Sequence, residues 1–243
     1  MKRIFCARRI VACLWVFALF FCACGNVDAH FTRESVKTAA ACAIPYMRTV
    51  ALTFDDGPTK ITETVLDVLK EKNVKATFFV LGVNVDKNPR ILRRIFDEGH
   101  LVGMHGYSHK YHEIYASCTA LKSDINRCLC AIKGVNSNYE PKFYRFPGGS
   151  FSLGKESKDA VKSEGLVYVD WNASCRDSEK KSASEDELIT HAFATSEGKN
   201  HVILLMHDAA DKARTARALP QIIDRFKVEG FSFVTVEKLY EIS

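Results

Sequence analysis

Two carboxylates stand side by side in Thr53-Phe54-Asp55-Asp56-Gly57-Pro58, directly behind the apolar run Val50-Ala51-Leu52. Adjacent like charges at the mouth of a buried strand raise each other's pKa, and a nearby cation relieves the repulsion. The pair therefore fits a site in which one aspartate holds a metal and the other moves a proton. Gly57-Pro58 then turns the chain away. For the hexapeptide alone, a polar turn with an Asp helix cap is the plainer alternative. Further along, His105-Gly106-Tyr107-Ser108-His109 sets two imidazoles four residues apart, just past a short apolar run. Two histidines with a carboxylate such as Asp56 leave coordination positions open for water and substrate, as in catalytic zinc sites. The same donors suit iron, cobalt or nickel. His30, His100, His112, His191 and His201 fall outside that spacing and read as structural or solvent-facing.

These groups need a scaffold that brings distant loops together. Strand-like runs occupy 50–54, 76–81, 101–104, 142–145, 166–170, 202–206 and 231–235. Helical patterns lie between them. Ile61, Val65, Val68 and Leu69 share one face, and so do Ala120, Leu121, Ile125, Cys128, Leu129 and Ile132. Asn88-Pro89 opens a helix that Gly99 closes. Ser184-x-x-Glu187 is a capping box ahead of Leu188, Ile189, Ala192 and Phe193. Leu219, Ile222, Ile223 and Phe226 line the last long helix. Strands alternating with helices predict an α/β fold with a parallel sheet. Asp55-Asp56, His105 and His109, Arg145, Asp177 and His207-Asp208 all fall at or just after the carboxyl ends of predicted strands. A distorted (β/α) barrel of about seven parallel strands gathers such ends at one mouth, whereas an open sheet would spread them along an edge.

The chain carries a net charge of +5, and residues 1–29 hold Lys2, Arg3, Arg8 and Arg9 against Asp28 alone. The remainder is close to neutral, so no basic field of the nucleic-acid-binding kind is present. Basic residues, an uncharged apolar run from Ile10 to Cys24 and the small residues around Val27-Asp28-Ala29 follow the order of a secretory signal. A lipoprotein-type site at Phe21-Cys22-Ala23-Cys24 and an uncleaved membrane anchor are the other readings of the segment. The expected organisation is a signal peptide or anchor over 1–29, a linker over 30–48 and one catalytic domain over 49–243. Cys6, Cys13, Cys22 and Cys24 lie in the leader, while Cys42, Cys118, Cys128, Cys130 and Cys175 lie beyond it. An odd number at irregular spacing is no disulfide framework, and without a C-x-x-C pair a zinc–thiolate site is not expected.

Five motifs in order give the chain a specific resemblance over 49–243. They are Thr-Phe-Asp-Asp-Gly-Pro at 53–58, His-Gly-Tyr-Ser-His at 105–109, Arg-Phe-Pro-Gly-Gly at 145–149, the stretch from Asp170-Trp171 to Asp177, and Leu-Met-His at 205–207. The chain resembles the NodB-type polysaccharide deacetylases, carbohydrate esterase family four. That resemblance implies a distorted barrel of fewer than eight strands and one divalent metal ion, zinc first, held by Asp56, His105 and His109. It implies Asp55 as general base, Arg145 as the group that positions it, and His207 as general acid tuned by Asp177. It further implies the Gly148 N–H as an oxyanion donor, with Trp171 and Leu205 lining the acetyl pocket.

Two departures touch the substrate side. The family's third motif usually carries Pro-Tyr where Pro147-Gly148 stands here, and its fourth carries Asp-Trp where Asp177-Ser178 stands. Tyr107, Tyr144, Tyr168 and Trp171 are the aromatics expected to replace the missing groove walls. The implied substrate is an acetylated glycan polymer, peptidoglycan N-acetylglucosamine first, met outside the cytoplasm by a secreted or surface-attached protein. Chitin oligomers, acetyl-xylan and a catalytically silent glycan-binding barrel are the alternatives.

Overall fold

The computed structural model describes residues 48–180 and 182–242. They belong to a unit spanning Pro45–Ser243. The leader-like segment and nearly all of the connector, with His30 and Cys42, lie outside the described residues.

At the centre is β1 (Thr49–Asp55), buried along its whole length. Its near-continuous apolar run is what a parallel strand covered on both faces requires. One edge of β1 pairs in register with β7 (His201–His207), from Thr49 opposite His201 to Asp55 opposite His207. Two strands share the other edge. β8 (Ser232–Phe233) takes Thr49 and Val50, and β2 (Thr77–Val80) takes Thr53 to Asp55. The hydrogen-bonded path runs on through β3 (Leu101–Met104) and β4 (Phe143–Tyr144) to β5 (Val167–Tyr168), and on the other side from β7 to β6 (Ala173–Ser174). Every pairing is parallel. Among the described residues no pairing joins β5 to β6, so the path is a curled, open barrel of seven strands with β8 as an eighth. All seven expected strand runs are present. β6 is the addition, a two-residue strand too short for periodicity to reveal.

Nine helices pack around the sheet among the described residues. Helix α1 (Lys60–Glu71) starts at a capping box between Thr59 and Thr62, and buries Val65, Leu66 and Leu69. Helices α2 (Gly82–Lys87) and α3 (Pro89–Asp97) follow, α3 with Pro at its first position. After α4 (Tyr111–Ile114), the long α5 (Cys118–Val135) is capped by Ser117. Helix α6 is Lys155–Ser163, and α7 (Glu185–Ser196) begins at the capping box of Ser184 with Glu187. Helix α8 (Ala213–Val228) buries Leu219, Ile222, Ile223 and Phe226 against α1 and α7, and α9 is Val236–Ile242. Truncating a fully buried residue such as Leu66 or Ile222 to Ala would cost about 2–5 kcal/mol. No helix among the described residues is long and apolar enough to cross a membrane. The four described cysteines are free thiols, Cys128 and Cys175 buried, Cys118 and Cys130 exposed.

The consequence for function lies in the strand ends. Parallel pairing points the carboxyl ends of β1, β3, β4 and β7 the same way, which is where such folds build their chemistry.

Candidate active site

Asp56 leaves the end of β1 with φ 75°, and His109 stands at φ 56°. Positive φ is costly for a residue with a side chain and persists where the surroundings enforce it, as at binding sites. Here the twist brings Asp56, His105 and His109 together, with one ligand atom of each within 4.8 Å of the others. Asp56 Oδ1 is buried and has no hydrogen-bond partner. It lies 3.6 Å from His105 Nε2 and 3.5 Å from His109 Nε2. Those gaps are long for hydrogen bonds but suit ligands sharing one cation. His105 Nδ1 donates to the Arg145 carbonyl at 2.8 Å, which fixes the proton on Nδ1 and leaves the Nε2 lone pair facing Asp56. Burial lowers the pKa of His105 to about 3, so the ring is neutral and able to ligate. A buried carboxylate oxygen without a partner, faced by a neutral imidazole, fits a divalent cation.

The loop carrying these histidines is held by Asp124 of α5. Its carboxylate accepts from Tyr107 N at 2.7 Å, Ser108 N at 3.1 Å and Ser108 Oγ at 2.9 Å. Gly106 is required beneath it, because a Cβ there would sit 2.4 Å from Asp124 Oδ2. Sequence reasoning passed over Asp124, although a signal was present. Positions 121, 124, 125, 128 and 132 form one buried helical stripe, and a carboxylate on an apolar stripe marks a specific acceptor role.

Asp55, buried at the end of β1, accepts from Arg145 Nη1 at 2.9 Å. Arg145 is fully buried and spends its other donors on Thr53 Oγ1 at 2.8 Å, the Val169 carbonyl at 3.0 Å and the Asp170 carbonyl at 3.2 Å. The Phe79 ring covers its guanidinium at 4.1 Å. A fork tied down by four hydrogen bonds holds one carboxylate orientation. Burial pushes the pKa of Asp55 above the ordinary carboxylate value, and the charges of Arg145 and His207 offset this only in part.

His207 closes β7 beside Asp55. Its Nδ1 meets Asp177 Oδ1 at 2.7 Å, and its backbone N–H donates to Asp177 Oδ2 at 2.8 Å. Thr215 Oγ1 of α8 adds a third bond to Asp177 at 2.8 Å. Burial alone would lower the pKa of His207, yet the hydrogen bond and charge of Asp177, with Asp55 and Asp56 behind it, raise it to about 9. The same contact outweighs burial at Asp177 and depresses its pKa. Asp208, next in the chain, is fully buried. It accepts from Thr62 Oγ1 at 2.6 Å, its carbonyl accepts from Thr59 Oγ1 at 2.6 Å, and burial raises its pKa to about 7. Gly57 must lack a side chain here, since a Cβ would lie 2.3 Å from Asp208 Oδ2. Asp208 thus pins the turn that follows the aspartate pair.

Gly148 stands exposed at φ 79°. Gly149 N donates to the Phe146 carbonyl at 2.8 Å, while the Gly148 N–H has no acceptor among the described residues. Asp170 ties this turn down by accepting from Ser150 N at 2.9 Å and Ser150 Oγ at 2.5 Å. Trp171 is half-buried, 5.7 Å from the Arg145 guanidinium, and Leu205 is buried on β7 opposite Thr53. Of the aromatics expected to wall the groove, Tyr144 is fully buried and cannot serve. Tyr107 has its face covered by Arg127 at 3.9 Å and its hydroxyl bonded to Asp86 at 2.9 Å. The exposed rings near the site are instead Tyr111 and Phe151, neither of which sequence reasoning singled out.

A barrel of parallel strands thus carries, at its carboxyl-end mouth, three side chains that could share a metal ion. The chain belongs to the polysaccharide deacetylase family, whose sequence model matches residues 45–169. It is 33% identical over 218 residues to the peptidoglycan-N-acetylglucosamine deacetylase PgdA of Listeria monocytogenes, covering 88% of this chain and 44% of that protein. This chain thus spans less than half the length of the Listeria protein. A peptidoglycan-N-acetylglucosamine deacetylase of Bacillus cereus is 34% identical over 215 residues, covering 85% of this chain and 74% of the relative. Among solved structures, a CE4 esterase of Streptococcus mutans superposes with a TM-score of 0.73 at 30% identity, over 84% of this chain and 91% of that one.

Proposed function

We propose that this chain is a metal-dependent N-deacetylase of a polymeric glycan, with peptidoglycan N-acetylglucosamine as the substrate and acetate as a product. The observation that carries the reading is the juxtaposition at one mouth of an incomplete ligand set and two differently tuned proton carriers. Asp56, His105 and His109 would hold the cation, zinc first, with cobalt, nickel or iron as alternatives. A divalent ion held there supplies Lewis acidity, which polarises an acyl carbonyl and makes water more acidic.

The remaining work falls to the chain's own residues. Asp55, fixed by Arg145, takes the proton from the attacking water. Its raised pKa makes it a better base than an exposed carboxylate, and the Arg145 guanidinium favours its charged form. The Gly148 N–H is available to the oxygen that gains charge as the carbonyl is attacked. His207, charged at neutral pH, gives its proton to the departing amine through Nε2, because Nδ1 is committed to Asp177. Trp171 and Leu205 would bound the small space for the acetyl methyl. The leader-like order of residues 1–29 supports an extracytoplasmic setting, where such a polymer is met.

The test is acetate release from intact peptidoglycan, N-acetylglucosamine oligomers and acetyl-xylan, with elemental analysis of the purified protein. Release from the amide substrates that stops on chelation and returns with added zinc is expected. Release from acetyl-xylan alone, or undiminished release by metal-free protein, overturns the reading.

A further inference from the structure

Exposed aromatic rings are expensive to leave in water, and those beside a reactive centre call for an occupant. Among the exposed large apolar side chains, Tyr111 at 49% and Phe151 at 65% are the two whose rings contact site residues. Tyr111 stands edge-on to the His109 ring, with centroids 5.2 Å apart and planes at 86°. Phe151 stands edge-on to Trp171, with centroids 5.2 Å apart and planes at 82°. One ring thus belongs to the metal-ligand side of the mouth, and the other to the Arg145–Asp55 side, where Trp171 lies.

Between them is the Gly148-Gly149 turn, and its composition is explained by the rings. A Cβ on Gly148 would come within 2.9 Å of the Tyr111 ring. A Cβ on Gly149 would come within 2.9 Å of the Phe151 ring and 3.0 Å of Trp171. Two consecutive glycines at φ 79° and 82° therefore leave room for an aromatic on each, with Gly148 exposed as the floor. Each ring is braced by a neighbour rather than free to collapse onto the surface. Tyr111 leans on His109 and Tyr115, whose hydroxyl is anchored to the Pro147 carbonyl at 2.8 Å. Ser150, beside Phe151, is bonded to Asp170 through both its backbone N–H and its hydroxyl.

We propose that Tyr111 and Phe151 are the two aromatic platforms of a glycan groove, stacking on the sugar rings that flank the one presented to the metal-ligand cluster. A pyranose offers an apolar C–H face and a polar rim, and a ring that is partly wet and partly packed complements both. The Tyr111 hydroxyl adds a hydrogen-bonding group at the edge of its ring. This inference rests on the glycan deacetylase reading and deepens it. The platforms govern how chain length is sensed, whereas Asp55, Asp56 and His207 govern turnover.

The test compares N-acetylglucosamine monomer, trimer and tetramer with 4-nitrophenyl acetate, using zinc-loaded protein. Wild type should show kcat/KM rising with oligomer length. In Tyr111→Ala and in Phe151→Ala that rise should flatten, with KM for the tetramer increasing about three- to tenfold. Loss on 4-nitrophenyl acetate should be several-fold smaller than loss on the tetramer. Tyr111→Phe should restore most of the length dependence, which a merely structural defect at the loop would not allow. Unchanged length dependence in both alanine variants, or equal loss on every substrate, overturns the proposal. If wild type releases no acetate from intact peptidoglycan or from any oligomer, the deacetylase reading fails on its own. The groove is then judged by Trp171 fluorescence titrated with the tetramer. Weaker binding in both variants supports the platforms, and binding equal to wild type, or none in wild type, refutes them.

Discussion

The two halves of the mouth are built on opposite plans. On the metal side, Asp56 Oδ1 is buried without a partner, and two imidazoles stand 3.5 and 3.6 Å from it. On the acid side, Asp177 is saturated by His207 Nδ1, His207 N and Thr215 Oγ1. Both contain a histidine beside a carboxylate under comparable burial, yet the outcomes diverge. His105 gives its Nδ1 proton to a carbonyl and is lowered to about 3, while His207 gives its to a carboxylate and is raised to about 9. The partner on Nδ1 decides the role. A neutral acceptor leaves burial in command and keeps the ring neutral, as the proposed ligand must be, whereas a charged acceptor overrides burial and keeps the ring protonated, as the proposed acid must be.

If the metal side is incomplete without its ion, losing a ligand should do the most damage. Asp56→Ala should reduce acetate release by about 10³-fold or more. Elemental analysis should find little bound metal in that variant, and a full metal content with residual turnover would break the contrast. Asp55→Asn should follow with a loss of about 10²–10⁴-fold in kcat while retaining metal. It should also lower unfolding free energy by about 3 kcal/mol in denaturant titrations, because the buried Arg145 charge loses its counter-ion.

The same contrast explains what could be read from the chain. The strands were legible because β1, β2, β3 and β7 are apolar runs long enough to stand out, and the shorter β4, β5 and β8 sit in regular alternation with helices. β6 was not, since Ala173–Ser174 is a strand only by virtue of pairing with Leu204 and Leu205 some 30 residues away. The chemistry-bearing side chains were visible as types at strand ends, and the structure brings Asp55, Asp56, His105, His109, Arg145, Asp177 and His207 to one mouth. Their supports were not visible. Asp124, Thr215 and the Thr62–Asp208 pair act across sequence separations of 17, 38 and 146 residues. Nothing local distinguishes a hydroxyl aimed at a carboxylate from one in solvent until the helices are docked. Tyr111 and Phe151 escaped for a related reason, because an aromatic in a loop reads as core until its exposure is known.

On the acid side the expected losses are smaller and carry a pH signature. As the proposed acid His207 must be protonated, so kcat should hold up to about pH 9 and fall above it. Asp177→Asn removes the charged acceptor, leaving burial to set the ring, and the alkaline limb should move down toward or below the ordinary histidine value of about 6.5. The loss of turnover at neutral pH should be about tenfold or more. Stability has the matching sign. The folded pKa of His207 lies above its unfolded value, so its stabilisation is fully present below about pH 6.5 and is lost as pH rises through about 9. Asp177 is depressed, so its share persists at neutral pH and is lost on acidification. Thermal unfolding measured across pH should show the alkaline decline in wild type and not in Asp177→Asn.

The smallest effect is the most discriminating. Thr215→Val deletes one of the three bonds to Asp177 and should cost about 1 kcal/mol of stability. Thr215 helps hold the Asp177 carboxylate in its charged form. Without it the carboxylate is more basic and pulls harder on the His207 proton, so the alkaline limb should move slightly up rather than down. Charge on the acceptor and orientation of the ring thus predict different signs. If the limb in Thr215→Val falls alongside that in Asp177→Asn, ring orientation governs His207. If the two limbs move apart, the charge on Asp177 is what separates the acid from the ligand.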